Sequence, residues 1–573
     1  MPPFRSCVDS NVGAFMCSYN ALNGVPTCAD PWLLGDVLRE HWGWTNEQQW
    51  VTSDCDAVQN IFLPHKYNST REESVAQALI AGTDIDCGTY YQAHLPKAYA
   101  QGLFNISTLD QALVRQYSSL VRLGYFDGLA VPYRNLTFAD VNTPHAQQLA
   151  YRAAVEGITM LKNDGTLPLK ITSDMTIALI GDWANATTQM QGNYAGIAPY
   201  LHGPYYAAQQ TGAKILLANV PGGQGDPTTD SWLPVVSPGG YLDQADILIY
   251  AGGIDNSVES EGMDRHNIDW TGAQLDMIGQ MAMKGKPMVV MQMGGGQIDS
   301  SPIANNPNVS ALLWGGYPGQ DGGVALFDII QGKAAPAGRL STTQYPSDYI
   351  SLVPMTDMTL RPDASTGNPG RTYQWYTGTP VFQYGFGLHY TNFTASFANN
   401  ATPSYGAGSA GNSSTTYSIS DLVSGCNEKY EDRCAFKSFP VNVENTGSVT
   451  SDYVTLGFLT GCHGPEPYPI KRLVNYQRLH NITAGSTQTA TLNLTLGSLA
   501  RVDDYGNTVL YPGDYALMID LEPLAMVNFT LTGDAYTLDH WPQPPAATYQ
   551  YDDYFVGGYG STYGEKLLIN GTV

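Results

Sequence analysis

Short apolar segments alternate with amphipathic segments over roughly the first 130 residues of the chain. The apolar segments have the length of buried strands, and the amphipathic segments repeat their apolar residues with a helical period. In chain order we predict strands at 12–19, 48–54 and 83–87, and helices at 31–43, 73–82 and 108–126, the last with a threonine cap. Because alternating strands and helices form parallel sheets, these units predict the C-terminal part of a (β/α)8 barrel over residues 1–132.

A second region of alternating elements extends to about residue 345. It opens with a predicted amphipathic helix at 150–163 and contains another at 272–285. Apolar runs that end in glycine or proline predict strands at 176–184, 246–254, 287–296 and 311–318. We interpret residues 133–345 as an open α/β domain, in which ligand-binding groups are expected at the carboxyl ends of the strands.

Beyond residue 345 the pattern changes. Residues 346–410 are rich in proline, glycine and tyrosine and have little periodicity, so we interpret them as a connecting arm. Residues 411–537 alternate apolar and polar positions between turn residues, which predicts a β-sandwich of immunoglobulin or fibronectin type. The segment 538–573 is poor in aliphatic residues and is interpreted as a tail.

The charge balance argues against two classes of partner. The chain has 27 Lys and Arg against 51 Asp and Glu, a net charge of −24. Such a surface repels phosphate backbones and anionic lipid, so neither nucleic acid nor a membrane is expected as a partner. No apolar run approaches the roughly 18 residues of a membrane span. The 37 tyrosines and 10 tryptophans offer faces for stacking on sugar rings, although packing in β-rich domains explains most of them.

Sequons and cysteines favour the secretory route. Asn-x-Ser/Thr occurs twelve times, at Asn68, Asn105, Asn135, Asn185, Asn308, Asn392, Asn400, Asn412, Asn481, Asn493, Asn528 and Asn570. The spacing of the eight cysteines favours local disulfides Cys17–Cys28, Cys55–Cys87 and Cys426–Cys434, with Cys7 and Cys462 unassigned. Since none has the spacing of a zinc site, we expect no metal. The opening residues, MPPFRSCVDS, lack the features of a signal peptide, so we expect the natural start to be missing.

Acidic residues stand directly after two predicted strands. Asp54 ends the first of these in VTSDCDAV, while Glu259 and Glu261 follow the other in GGIDNSVESEG. Two separated carboxylates, each held at a strand end, are what hydrolysis of a glycosidic bond requires. The alternative is structural: Ser53 or Asp54 caps the next helix with Asp56 in its first turn, and the glutamates are solvated or stabilise a helix dipole.

Longer motifs resemble the family 3 glycoside hydrolases, in the same order along the chain. They include SYNALNGVPTC, VTSDCDAV, ALIAGTDIDCGTYY, GGIDNSVESEGMDR, QMGGGQIDSS and LLWGGYPGQDGG. The similarity extends to about residue 540 and is strongest to the family's secreted fungal exo-acting β-xylosidases. The resemblance implies a multidomain α/β plus β fold: a partial (β/α)8 barrel, an α/β sandwich domain and a fibronectin-III-like β-sandwich.

The resemblance also implies roles for individual residues. It implies that Asp54 is the nucleophile, that Tyr19 lines the subsite of the released sugar, and that Glu259, with Glu261 as the alternative, is the acid/base. A retaining double displacement without a cofactor, with the carboxyl groups about 5–5.5 Å apart, would release xylose from xylo-oligosaccharides and xylan. The alternative activities are those of an α-L-arabinofuranosidase or a β-glucosidase of the same family.

One departure from the family pattern concerns the beginning of the chain. Members of the family have about half a barrel more there, including a Lys-His pair and an arginine that bind the same sugar. We therefore expect this sequence to be a truncated form of a longer secreted protein. An inactive fragment, or a non-catalytic sugar-binding protein, is the remaining alternative.

Overall fold

The computed structural model describes residues 1–220, 232–398 and 415–545. The chain forms two compact units, one of Met1–Asp140 with the segment that begins at His540, and one that includes Val141–Asp539. Among the described residues, no helix is long and apolar enough to cross a membrane. Most of the predicted tail and the sequons at Asn400, Asn412 and Asn570 lie outside the described residues.

The first unit alternates short strands with helices, as predicted. Its strands β1 (Ala14–Cys17) and β2 (Trp50–Ser53) pair in parallel over four residues each. The third predicted strand, 83–87, is represented by one parallel bridge between Thr52 and Ile85. The helices are α1 (Pro2–Asp9), α2 (Trp32–His41), α3 (Ala57–Phe62), α4 (Arg71–Ala81), α5 (Tyr90–Ala100) and α6 (Ile106–Arg122).

Two details of these helices differ from the predictions. The expected threonine cap is wrong, because α6 begins at Ile106 after Asn105 and therefore has Thr108 inside its first turn. Helix α5 was not predicted, since Pro96 lies within it and proline normally argues against a helix interior. Helix α4 begins with a capping box in which Thr70 and Glu73 satisfy each other's backbone N–H groups.

A six-stranded sheet forms the α/β part of the second unit. Its strands are β3 (Thr159–Asn163), β4 (Thr176–Ile180), β5 (Lys214–Ala218), β6 (Ile247–Gly253), β7 (Met288–Met293) and β8 (Ala311–Gly316). They lie in the order β3-β8-β7-β6-β4-β5, and all neighbours are parallel except β3 and β8. The helices of six or more residues here are α7 (Pro144–Gly157), α8 (Pro204–Gln209), α9 (Gly272–Ala282) and α10 (Gly322–Ile330).

The prediction of one helix over 150–163 is wrong in its second half. Helix α7 starts earlier, at Pro144, and ends at Gly157. Its N-cap is Thr143, whose hydroxyl accepts a hydrogen bond from the Ala146 N–H. The chain then becomes extended and forms β3, the antiparallel edge strand. Pairing with β8, about 150 residues further along the chain, decides this outcome, and a local periodicity cannot register such a partner. Strand β5 was also not predicted.

The β-sandwich contains the predicted period-two strands. Its strands are β9 (Phe393–Phe397), β10 (Thr415–Ser418), β11 (Ala435–Asn445), β12 (Ser451–Thr460), β13 (Arg472–Ile482), β14 (Thr487–Thr495), β15 (Arg501–Val502), β16 (Thr508–Leu510), β17 (Gly513–Ile519), β18 (Ala525–Thr532) and β19 (Tyr536–Asp539). They form sheets β9-β11-β14, β10-β18-β17-β12-β13 and β15-β16-β19. Strand β9 lies within the predicted connecting arm but pairs with β11 of the sandwich.

The predicted disulfides are confirmed. Cys17–Cys28, Cys55–Cys87 and Cys426–Cys434 are bonded, and Cys7 and Cys462 are free thiols at exposed positions. Two of the bonds lie in the first unit, close to the carboxyl ends of β1 and β2. Cys17–Cys28 closes the loop that contains Tyr19, and Cys55–Cys87 ties the residue after Asp54 to the segment at Cys87.

Candidate active site

Tyr19 and Asp54 lie at the same edge of the first unit. Strands β1 and β2 end at Cys17 and Ser53, which are register partners, so the residues that follow leave the sheet side by side. The Asp54 N–H donates to the Cys17 carbonyl at 2.8 Å. Tyr19 is 38% exposed, and its carbonyl accepts a hydrogen bond from His65 Nε2 at 2.6 Å. The structure thus brings together two of the predicted site residues.

The backbone around Asp54 is fixed at several points. Its carbonyl accepts from the Ala57 N–H at 3.0 Å, and its Oδ1 accepts from the Cys55 N–H at 2.7 Å. Cys55 is bonded to Cys87, whose N–H donates to Ser53 Oγ at 2.9 Å. The carboxyl group of Asp54 is therefore partly exposed on a backbone that hydrogen bonds and a disulfide restrain.

The alternative role for Asp54, capping of the helix that follows, is not observed. Helix α3 has Asp56 in the N-cap position, with a left-handed φ of 64°, and has no side-chain capping bond. Neither Ser53 nor Asp54 caps this helix. The Asp56 N–H donates to the Cys87 carbonyl at 2.7 Å, and a Cβ at Gly88 would come within 2.8 Å of Asp56 Oδ1. Asp56 is thus the N-cap residue and is exposed, whereas Asp54 lies before the helix and is partly exposed.

Asp86, a third acidic residue near the carboxyl ends of β1 and β2, was not predicted as a site residue. It follows Ile85, the residue that bridges to β2, so it occupies a strand end as Asp54 does. Asp86 Oδ2 accepts from the Tyr91 N–H at 2.9 Å. Burial, with a smaller effect of the nearby Asp56 charge, raises the pKa of Asp86. The strand-end rule that selected Asp54 would also have found this residue.

Glu259 and Glu261 lie in the loop that follows β6 in the second unit. Asp255 organises the start of this loop: its Oδ1 accepts from the Ser257 N–H at 2.9 Å, and its carbonyl accepts from the Glu259 N–H at 3.0 Å. Further along, Ser260 and Met263 form an antiparallel bridge. The structure thus places both candidate acid/base residues on one turn, with Glu259 partly buried and Glu261 exposed.

An ion pair distinguishes Glu259 from Glu261. Arg265 Nε lies 2.5 Å from Glu259 Oε2, and Arg265 Nη2 donates to the Gln297 carbonyl at 2.9 Å. The pair lies over Gly296, where a Cβ would be 2.5 Å from both Glu259 Oε1 and Arg265 Nη2. Arg265 and Gly296 were not singled out in the sequence, although each belongs to a motif that was.

One group of acidic and histidine side chains among the described residues has metal-ligand spacing. It consists of Glu156, Asp452 and His480, outside both loops described above. Arg478 lies 3.5 Å from Glu156 and 3.4 Å from Asp452. Because these carboxylates already have a cationic partner, the group is an ion-pair network between α7 and the β-sandwich.

Comparison with known proteins identifies the class of this molecule. Residues 1–118 match the glycosyl hydrolase family 3 N-terminal domain, 158–390 match the family 3 C-terminal domain, and 458–522 match a fibronectin type III-like domain. The molecule is a multidomain glycosidase, as the carboxylates at strand ends and the predicted fold class indicated. The chain belongs to glycoside hydrolase family 3, so the resemblance seen in its motifs is confirmed.

Relatives of this chain include fungal proteins. It is 49% identical over 553 residues to a probable exo-1,4-β-xylosidase of Aspergillus fumigatus, covering 95% of this chain and 69% of that protein. A probable exo-1,4-β-xylosidase of Aspergillus terreus is 49% identical over 548 residues, covering 95% and 68%. The solved structure of a family 3 exo-β-xylosidase with a xylobiose aziridine activity-based probe is 44% identical, with a TM-score of 0.88 over 95% of this chain and 69% of that one. A β-glucosidase of Listeria innocua, 20% identical with a TM-score of 0.76 over 93% and 70%, shares the fold.

Proposed function

We propose that this protein is a retaining, exo-acting β-xylosidase that releases xylose from the non-reducing ends of xylo-oligosaccharides and xylan. The observation that carries the substrate class is the 44% identity to a xylosidase solved with a xylobiose-derived probe. The chemistry is supported by a carboxylate on a restrained strand end and a second carboxylate in an organised loop. Such a pair performs glycoside hydrolysis without a cofactor.

In the first step, Asp54 attacks the anomeric carbon while Glu259 donates a proton to the glycosidic oxygen. The bond to the leaving sugar breaks, and a xylosyl ester of Asp54 forms. In the second step, Glu259 removes a proton from water, which attacks the anomeric carbon and releases xylose and free Asp54. The reaction requires the two carboxyl groups to be about 5–5.5 Å apart in the working enzyme.

The surroundings of each residue suit these roles. The backbone bonds around Asp54 keep its carboxylate in one position for in-line attack. Arg265 pairs with the carboxylate of Glu259. This is the form of Glu259 that exists after proton donation and that then acts as the base. We assign Tyr19, which follows β1 beside Asp54, to the subsite of the released xylose. Glu261 is the alternative acid/base, and its exposure without an ion pair to Arg265 makes Glu259 the preferred residue.

We also infer that the protein passes through the secretory route. Eight of the nine sequon asparagines that the structure describes are exposed, namely Asn105, Asn135, Asn185, Asn308, Asn392, Asn481, Asn493 and Asn528. Three disulfides are typical of an oxidising compartment. Analysis of glycans on the protein secreted by a fungal host tests this inference.

Hydrolysis assays on the full 573-residue chain test the proposed activity. Nitrophenyl β-xyloside is expected to react faster than nitrophenyl α-L-arabinofuranoside and β-glucoside. Asp54→Ala should abolish turnover of every substrate. Glu259→Ala should slow xylobiose hydrolysis by about 10²- to 10⁴-fold and dinitrophenyl xyloside hydrolysis far less, because a good leaving group needs no proton.

Glu261→Ala is the matched control, since it removes a carboxylate two residues away on the same loop. It should leave both rates within about threefold of wild type. If Glu261→Ala instead has the effects expected of Glu259→Ala, the acid/base assignment moves to Glu261. An intact chain without turnover, whose binding of xylose is unaffected by Asp54→Ala, would establish a non-catalytic protein.

A further inference from the structure

The order of strands in the second unit points to a particular crevice. The parallel strands β4, β5, β6, β7 and β8 follow one another in the chain but lie in the order β5-β4-β6-β7-β8. The direction of winding therefore reverses between β4 and β6. In open α/β sheets, ligands bind outside the carboxyl ends of the strands at such a reversal.

A cavity of about 290 Å³ lies at this position. It lies between the chain segments that follow β4 and β6, and β5 contributes Asn219 just past its end. The polar side chains that line it are those of Asp182, Gln189, Asn219, Asp255 and Ser257. Its size is at the lower end of the roughly 300 to 1,000 Å³ of small-molecule sites, which suits a ligand of about one sugar ring.

A glycine stands at the end of each flanking strand: Gly181 directly follows β4, and Gly253 is the last residue of β6. Gly181 has φ +120°, and a Cβ there would be 2.0 Å from the Ala251 carbonyl oxygen. Gly253 has φ +131°, and a Cβ there would be 2.1 Å from the Met293 carbonyl oxygen. The backbone therefore turns sharply at each glycine. Asp182 is the residue after Gly181, and Asp255 is the second residue after Gly253.

The polar groups of the cavity match a neutral ligand with hydroxyl groups. Asp182 Oδ1 is buried, and no donor reaches it within the part of the chain that the structure describes. Asp255 Oδ2 accepts from Gln189 Nε2 at 3.1 Å. Burial, and secondly the Asp255 charge, raises the pKa of Asp182 to about 7, so its carboxyl group is able to donate as well as accept.

Two other ligand classes fit less well. Among the described residues, those that line the cavity include no lysine, arginine or histidine that would offset the charge of an anion. A cation would have two carboxylates, but among the described residues no third acidic, cysteine or histidine ligand joins them. Hydroxyl groups, which donate to one carboxylate oxygen and accept from an amide or a protonated carboxyl, suit the mixed lining.

We propose that this cavity is a binding site for one neutral polyhydroxylated molecule, whose hydroxyl groups bridge Asp182 and Asp255. The occupant would contact the residue that organises the Glu259 loop, because Asp255 holds the start of that loop. The use of xylose as one of the probes below rests on the proposed function, while the site itself does not.

Isothermal titration of the full chain with D-xylose and, separately, with myo-inositol tests the proposal. We expect saturable binding of at least one probe, weakened at least about tenfold by Asp182→Leu, which fills part of the cavity and removes the carboxyl group. Gln189→Ala, which removes an amide from the lining, is a second variant in case the first does not fold. Asp276→Ala is the matched control, because Asp276 is an exposed acid on α9 of the same unit.

The same titrations on Asp54→Ala separate this site from the catalytic one. Binding that survives Asp54→Ala and Asp276→Ala but is lost in the cavity variants supports the proposal. Absence of saturable binding, or binding that Asp182→Leu and Gln189→Ala leave intact, would overturn it. Stabilisation by Ca²⁺ alone that Asp182→Leu abolishes would also overturn it, in favour of a cation site. If the chain has no xylosidase activity, the myo-inositol titration still decides the question.

Discussion

The loops that carry Asp54 and Glu259 are held in different ways. Asp54 is held by its main chain, through hydrogen bonds to Cys17 and Ala57 and a disulfide at the next residue. Glu259 has one backbone bond to Asp255, and its carboxylate is held by the side chain of Arg265. The first arrangement restrains the backbone, whereas the second orients a carboxylate through another side chain.

This difference corresponds to the demands of the proposed reaction. A nucleophile keeps one ionisation state and must remain at a fixed distance from carbon, which a restrained backbone provides. An acid/base changes its protonation in each half of the cycle. A flexible side-chain partner such as Arg265 is able to move with the carboxyl group during that change. Removing the disulfide beside Asp54 and removing the Arg265 side chain should therefore have different effects on stability and on hydrolysis rates.

The largest effect is expected from removing the disulfide beside Asp54. The bond Cys55–Cys87 joins residues 32 apart, so the double variant Cys55→Ser/Cys87→Ser should lose about 3 to 4 kcal/mol of unfolding free energy in the chain-entropy account. Urea unfolding followed by fluorescence measures this loss. Xyloside hydrolysis should fall in parallel, because the cross-link restrains the segment that carries Asp54.

The matched control removes the disulfide of the β-sandwich. The bond Cys426–Cys434 joins residues only 8 apart, so Cys426→Ser/Cys434→Ser should cost about 2.5 kcal/mol and leave hydrolysis by the folded protein unchanged. Equal losses of activity in the two double variants would contradict the view that the first bond supports the Asp54 turn.

A smaller effect is expected from removing the side-chain support of Glu259. Arg265→Gln retains a hydrogen-bond donor but removes the cation, so kcat/KM for xylobiose should fall by about 10- to 100-fold. The rate for dinitrophenyl xyloside should change much less, and the unfolding free energy little. Arg152→Gln is the control, since Arg152 forms an exposed ion pair with Glu156 on α7. An equal loss with both leaving groups would assign Arg265 a role other than support of the acid/base.

Local patterns predicted those parts of the molecule that local forces decide. The period-two pattern identified β14, whose alternate residues are buried, and glycine-ended apolar runs identified β6 and β7. Cysteine spacing gave all three disulfides because each closes a short loop. Strand-end positions drew attention to Asp54 and to the pair Glu259 and Glu261, whereas the resemblance to family 3 supplied their proposed roles.

The features that were missed depend on distant partners. Strand β3 forms because β8 pairs with it, and the Arg265–Glu259 pair lies against Gly296 of a separate segment. The cavity at the β4–β6 reversal depends on the order of strands in the sheet. That order follows only once β5 is known to pair with the edge of β4 opposite β6. Spacing within one segment contains no information about these contacts.

The smallest effect concerns Asp182, for which the described residues provide no ion pair. Its pKa is raised to about 7 by burial and by the Asp255 charge, whereas an unfolded aspartate titrates near about 4. Between these values the native state keeps a proton that the unfolded state has released, so this group's contribution to stability is complete below pH 4 and is lost as the pH rises through 7.

Asp182→Asn removes this dependence, because an amide stays neutral at every pH. Relative to wild type, the variant should therefore gain unfolding free energy between pH 4 and pH 7, by about 1 kcal/mol once solvent screening is allowed for. Urea unfolding at pH 4, 5.5 and 7 measures the difference, with Asp276→Asn as the exposed control that should follow wild type. A difference that is constant over this range would mean that folding does not raise the pKa of Asp182.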